Sequence, residues 1–187
     1  MVLFRIKKDK LIKKFIFELV EFAVNTTNSI FQIENKTKDD APRIGDEIWF
    51  RIIFEYIFIN VHLLDRFLSV YIKDTSKRFE IMDGIIYKAI LLTVNTICKD
   101  WPEQTKSKIV DECLENYNNA VAEYSGYAEL INKDDDSPKG TLFWEFGKNI
   151  SSIYGKELDI AYIMFAQSAE TDFMISHDIK SLAKNLV

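Results

Sequence analysis

The amino-acid sequence predicts an all-α protein: one domain over residues 1–187, built as a bundle of about six helices with a long apolar central helix. Three observations carry that prediction. Turn residues are scarce, with six glycines and three prolines in 187 residues, about 5% where an average protein has about 12%. Apolar side chains recur at spacings of three and four along most of the chain, the repeat of helices that bury one face. Pro42, Pro102 and Pro138 all fall in polar stretches between those segments and never inside one, where proline would remove a helical hydrogen bond. No alternation of period two marks a strand. With 48% apolar residues, the chain is long enough for a sizeable core and too apolar for a disordered tail.

Each element follows from its own pattern. Leu11, Phe15, Leu19 and Phe22, with Ile12, Ile16 and Ala23 alongside, predict a helix over residues 6–24. The run Asn25, Thr26, Thr27, Asn28 weakens it, and the polar stretch 34–44 reads as a loop. The central helix is expected from Asp46 to Lys73, about 40 Å long at 1.5 Å per residue. Phe79, Met82, Ile86, Ala89, Ile90 and Ile97 place a third helix, with Gly84 inside it. Pro102 opens a fourth, expected over 103–131, on which Val110, Cys113, Tyr117, Ala120, Val121, Tyr124 and Tyr127 step by three and four. After the turn-rich stretch 132–140, a shorter helix is expected from Thr141 to Tyr154. Thr141 would be its N-cap, and Gly155 the residue just past its end. The last helical region, 158–186, is weakest at Ser168–Asp172, where a break is expected.

Charge and cysteine usage narrow the function classes. Arg5, Lys7, Lys8, Lys10, Lys13 and Lys14 face one acid, Asp9, in the first fourteen residues, so the remainder is more acidic than the total of −5. An acidic body lacks the basic face that phosphate contacts require, and no nucleic-acid partner is expected. The basic segment with the apolar residues after it, residues 4–24, is a candidate for contact with an anionic membrane surface. Glu18 and Glu21 interrupt what would otherwise resemble a signal-peptide core, and Glu55, Asn60 and His62 break the most apolar stretch, so neither a leader nor a spanning helix is expected. Cys98 and Cys113 form no metal-ligand spacing and read as buried, reduced thiols of a cytoplasmic protein.

Familiar catalytic motifs are absent. There is no glycine-rich phosphate loop, no GxSxG and no HExxH, and no cofactor is expected. The stretch from Asp134 to Glu145 has an EF-hand flavour, but the register that places Asp136 and Glu145 as ligands puts Lys139 where the loop needs glycine. Starting one residue later brings Gly140 into place and leaves Phe146 as the last ligand. The string LLDRFLS, Leu63–Ser69, resembles the YLDRFLS stretch of the cyclin box over seven residues. The other cyclin hallmarks, an Arg…Leu…Asp-Trp-Leu helix and a kinase-contacting Lys–Glu pair, have no counterpart, so nothing is carried over from that family.

The candidate site is a polar stripe on the central helix. Arg51, Glu55, His62, Asp65, Arg66, Ser69 and Lys73 project within roughly 100° of arc. His62 and Asp65, three apart, could reach one cation or one proton, which makes them weak metal candidates. In an enzyme, His62 would transfer the proton, Asp65 would orient it, and Glu55 would complete the acid–base set. Arg51 or Arg66 would bind an anionic group. Glu55 lies about 10 Å along the axis from His62 and has Arg51 four residues before it. Glu170 precedes His177 by the same seven residues, but the Glu-x-x-His pairs of carboxylate di-metal bundles are missing. The bland alternative is a solvated or salt-bridged face.

Aromatic residues reach 13% and crowd two segments, Trp49, Phe50, Phe54, Tyr56 and Phe58 in one and Phe143, Trp144 and Phe146 in the other. They serve as core, or as a face left for a partner, since interface cores favour aromatics and methionine. An apolar central helix of this length needs much covering. The leading expectation is therefore a non-enzymatic binding or assembly module that self-associates, in the simplest case as a homodimer. A helical enzyme built on the Glu55–His62–Asp65 stripe and a peripheral membrane protein are the alternatives.

Overall fold

Seven helices stand among the described residues: α1 (Val2–Glu34), α2 (Glu47–Tyr71), α3 (Thr75–Ile97), α4 (Glu103–Tyr124), α5 (Leu142–Ile153), α6 (Ile160–Ser176) and α7 (Ile179–Asn185). They are seen in a computed structural model that describes the backbone of residues 2–34, 47–131 and 139–187, and the side chains of 6–32, 47–131 and 139–187. The expected loops at 34–44 and 132–140, with Pro42, Pro138 and the first five residues of the EF-hand-like stretch, lie almost wholly outside the described residues, as does Asp46.

A helix that is apolar over most of its circumference must be surrounded, and α2 dictates the architecture. Ile52, Ile53, Tyr56, Ile57, Ile59, Leu63 and Leu64 are all fully covered. All six other helices touch α2. The covering that the sequence put in question is therefore supplied within one chain, in a single all-α bundle.

α1 runs ten residues beyond its expected end. Thr27 and Ser29 turn their hydroxyls back onto the carbonyls of Ala23 and Asn25, at 2.7 and 2.9 Å, and stay helical. Ile30 and Phe31 continue the buried stripe of Phe15, Ile16, Leu19, Val20 and Ala23. Asn28 Oδ1 accepts from the indole N–H of Trp49 at 2.9 Å, fastening α1 to the start of α2. Burial and these bonds outweigh the low helix propensity of the Asn-Thr-Thr-Asn run. The face of α1 that packs inward is largely the apolar one, so Lys7, Lys10, Lys13, Lys14, Phe17 and Glu21 are among the residues left outside.

α3 begins at Thr75 because the Asp74 carboxylate caps the Lys77 N–H at 3.1 Å. α4 ends at Tyr124, short of the expected 131. The chain after it is drawn back onto the bundle: Arg66 of α2 donates to the carbonyls of Tyr127, at 2.8 Å, and Ala128, while Glu129 and Leu130 accept from the first N–H groups at α5. Thr141 caps α5 and Gly155 follows its end with φ of 76°, both at the expected places. α5 and α6 pack very closely at Gly147, where a β-carbon would stand 2.8 Å from the Ile163 carbonyl oxygen. The last helical region breaks at Asp178, not at Ser168–Asp172. Thr171 back-bonds to Gln167 at 2.8 Å and remains helical, whereas Asp178 takes a left-handed φ of 41° and caps α7 through the Ser181 N–H.

Cys98 and Cys113 are buried and free, and burial pushes the Cys113 thiol up to about 12. Among the described residues no helix is long and apolar enough to cross a membrane.

Candidate functional site

The polar stripe of α2 meets different neighbours along its length. Arg51 and Glu55 open into a cleft of about 750 Å³ between α2, α4 and α5. Glu55 is half-buried. Its Oε1 accepts from the phenol of Tyr124, a fully covered residue of α4. Burial raises the Glu55 carboxyl above its ordinary range. The Tyr124 hydroxyl opposes that rise, the nearby Glu123 charge adds to it, and Asn149 and Arg51 pull it back. Asn149, from α5, also donates to Glu123 Oε1 at 3.1 Å, so side chains of three helices converge on one polar wall.

The opposite character comes from the same helix. Phe50, Phe54 and Phe58 are spaced by four and form a ladder with ring centroids 6.5 and 6.2 Å apart and interplanar angles of 14° and 26°. Trp101, from the turn before α4, stands 6.1 Å from Phe50. All four rings line the cleft. Lining the same cleft are Glu47, Glu55, Glu112 and Glu123, with Arg51 as the one basic lining residue. Lys108 reaches Glu112 at 3.5 Å, between two exposed side chains, a pairing that water screens heavily. The cleft thus joins aromatic residues to an excess of carboxylates.

His62, Asp65 and Arg66 are not among the residues lining this cleft. His62 is only 4% exposed, and neither ring nitrogen has a hydrogen-bond partner among the described residues. Burial, helped by the Arg66 charge, lowers its pKa to about 4, so the imidazole is neutral near pH 7. Its ring lies 5.8 Å from that of Tyr124. Asp65 accepts from Arg78 Nε of α3 at 2.7 Å, and the guanidinium of Arg66 is occupied by the two loop carbonyls. These two side chains tie α2 to its neighbours. Further along, Lys73 bonds the Ser69 carbonyl at 3.0 Å.

Glu170 and His177 do not form a second site either. Glu170, fully buried on α6, accepts from Asn60 Nδ2 at 2.8 Å, and Asn60 also donates to the Tyr56 carbonyl at 2.9 Å. His177 stacks on Phe173, 4.1 Å between centroids, and uses Nδ1 toward the Phe173 carbonyl and the Ser176 hydroxyl. Burial drives the Glu170 carboxyl well above its ordinary range, with the Asn60 bond opposing. Its second oxygen, the Asn60 carbonyl oxygen and the Tyr56 hydroxyl have no hydrogen-bond partner among the described residues. Among those residues no three His, Cys, Asp or Glu side chains are placed to hold a metal ion.

Sequence reasoning found Arg51 and Glu55 and missed Tyr124, Asn149, Glu123 and Trp101. Tyr124 reads as one more apolar step along α4, and nothing in a one-dimensional pattern aims its hydroxyl at Glu55. The ladder of Phe50, Phe54 and Phe58 was visible as crowding, and its spacing of four is the signal that marks a shared face. No family model matches the chain, and no curated protein and no solved structure matches it.

Proposed function

We propose that this chain is a non-enzymatic binding module, and that the cleft between α2, α4 and α5 receives an organic cation: an ammonium or guanidinium group carried on an apolar body. The observation that carries this reading is the union of the Phe50–Phe54–Phe58–Trp101 wall with the Glu55 and Glu123 carboxylates in one cavity. A cation over an aromatic face gains about 0.5–2 kcal/mol, more as water is excluded. A carboxylate at the same point adds a charge-assisted hydrogen bond where the cation has an N–H. The volume suits a small ligand, for which pockets run from about 300 to 1,000 Å³. It equally suits a lysine or arginine side chain presented by a peptide. Against catalysis in the cleft, its lining holds no histidine, and its one cysteine, Cys113, is a thiol that burial keeps protonated.

The test is a titration followed by Trp101 fluorescence and calorimetry, with a Trp101→Phe control to assign the signal. Benzyltrimethylammonium, a free aryl-alkylamine and a lysine-rich peptide are compared with a neutral hydrocarbon of the same shape. The cations should bind, the neutral compound should bind at least tenfold more weakly, and Glu55→Gln should reduce cation affinity without altering Tm by more than a few degrees. The peptide binding much more tightly than the small amines would identify a protein partner. Equal binding of neutral and cationic probes, or an unaffected Glu55→Gln, would refute the reading.

A further inference from the structure

α1 turns a basic face outward. Ile6, Lys7, Lys10, Lys13, Lys14 and Phe17 project within about 120° of arc, on the far side from the buried stripe of Phe15, Ile16, Leu19 and Ala23. All six are exposed, Ile6 by 47% and Phe17 by 62%. Lys7, Lys10 and Lys13 have no ion pair among the described residues. Lys14 reaches Glu18 at 3.6 Å, an exposed pairing that water screens. Asp9 projects outside the arc, and Glu21 stands about one turn beyond Phe17, so the lysines between Ile6 and Phe17 share their sector with no acid.

The positive charge at this end of the bundle is not confined to that face. Lys8, on the inner flank of α1, lies near Lys77 at the start of α3; burial, and then the Lys77 charge, lower its pKa. The rest of the chain has the opposite sign, since residues 1–14 hold six basic residues and one acid in a protein of net charge −5. A negatively charged surface therefore attracts the start of α1 and repels the remainder, which selects the side that docks. Lys7 and Lys14 stand about 10 Å apart along the axis, about one Debye length at physiological salt, so the charges between them act together. Each lysine at an anionic membrane surface strengthens partitioning about fivefold. Lysine stems lie along apolar surface while the ammonium stays at headgroup level, and a phenylalanine among them enters the boundary between headgroups and acyl chains. The phosphate backbone of a nucleic acid offers Ile6 and Phe17 no such boundary, which favours lipid as the partner.

We propose that this chain docks on anionic bilayer surfaces through the outward face of α1, with Lys7, Lys10, Lys13 and Lys14 at the headgroups and Ile6 and Phe17 set into the interface. The apolar side of α1 is packed into the bundle core, so the contact uses the opposite side and needs no unfolding. α1 rests on α2, α3 and α6, whereas α2, α4 and α5 wall the cleft. The docking face and the cleft thus use different outer helices, and neither reading depends on the other.

The test is flotation of the full chain with unilamellar vesicles of phosphatidylcholine alone, or with about 30% phosphatidylserine, at about 0.1 and 0.5 M NaCl. The chain should partition onto the serine-containing vesicles at low salt, and at least about tenfold less onto neutral vesicles or at high salt. Lys10→Glu combined with Lys14→Glu should cut partitioning at least about tenfold and keep the wild-type circular dichroism and Tm, because both positions are exposed. Lys10→Gln with Lys14→Gln removes half as much charge and should lose correspondingly less. Lys99→Glu with Lys108→Glu makes the same change in net charge at exposed sites outside α1 and should stay within about twofold of wild type. Phe17→Ser should weaken binding severalfold. Equal partitioning onto neutral vesicles would overturn the proposal, as would indifference to the Lys10 and Lys14 changes or to Phe17→Ser. A loss as large in the Lys99 and Lys108 variant would reduce the effect to net charge and overturn it too. So would a chain that ignores both kinds of vesicle; retention of a single-stranded oligonucleotide through the same lysines would then assign the face to nucleic acid.

Discussion

Replacing Glu170 by glutamine should make this protein progressively more stable than wild type as pH rises. Glu170 is 0% exposed, its one hydrogen bond comes from Asn60 at 2.8 Å, and its second oxygen has no hydrogen-bond partner among the described residues. Burial raises its pKa well above the ordinary 4.5. Below pH 4.5 the carboxyl is protonated in both folded and unfolded chains and has no effect on the pH slope. Above it the unfolded chain releases the proton and the folded chain retains it. The folded state then binds more protons than the unfolded one, and stability falls by about 1.4 kcal/mol per pH unit until Glu170 ionises inside the fold. Glutamine keeps an oxygen for Asn60 and has no proton to lose. Its amide brings two donors to a site where the Asn60 carbonyl oxygen and the Tyr56 hydroxyl have no hydrogen-bond partner among the described residues, and a donor left unmet there adds a pH-independent cost of about 1–3 kcal/mol. The quantity to read is therefore the slope of the difference, not its value at one pH. Urea unfolding of both proteins at pH 5, 6, 7 and 8, followed by circular dichroism, gives it directly. The difference should tilt toward the glutamine variant at about 1.4 kcal/mol per unit at the acid end of that range. A difference constant from pH 5 to 8 would refute the reasoning, because it would mean that Glu170 ionises as easily in the fold as outside it.

His62 should impose the opposite slope. Its folded pKa is lowered to about 4, so the unfolded chain takes up a proton first, and wild-type stability should fall as pH drops from about 6.5 toward 4. Denaturation midpoints of His62→Leu should show a shallower fall over that window, and identical profiles would contradict a buried neutral imidazole. Gly147→Ala should destabilise by about 1–3 kcal/mol, since the new methyl group would meet the Ile163 backbone at 2.8 Å. A thermal melt that rises instead, as helix propensity alone would have it, would show that α5 and α6 separate easily.

The fold was legible because its information is local and redundant. Each helix of the bundle repeats its apolar spacing over several turns, and Thr141 and Gly155 mark α5 by chemistry that acts within a few residues. The boundaries that differ are those decided by contacts distant in sequence. Asn28 reads as a helix breaker until Trp49 supplies its partner, twenty-one residues on. The end of α4 depends on Arg66, which claims carbonyls at Tyr127 and Ala128, more than sixty residues away. Asp178 breaks the last helix through a left-handed backbone that aspartate tolerates better than most residues, a permission the sequence grants without saying where it is used.

The polar stripe of α2 was legible as an angle but not as a site, and the reason is geometric. A helical projection collapses the axis, so that Arg51 and Lys73 share a sector while standing about 33 Å apart. Along that distance the facing helix changes. Arg51 and Glu55 meet α4 and α5 across open space, His62 is sealed against Tyr124, and Asp65 meets Arg78 of α3. Where the neighbours leave a gap, polar side chains line a cleft. Where they close, the same types of side chain become ties. The same logic applies to the surplus of apolar surface. Its total could be estimated from composition, yet its location depended on which helix sits at the centre. α2 takes that place and its apolar residues from Ile52 to Leu64 are buried, so the exposed large apolar side chains sit on the outer helices and at the ends of α2, among them Phe17, Val70, Phe79, Met164 and Ile175.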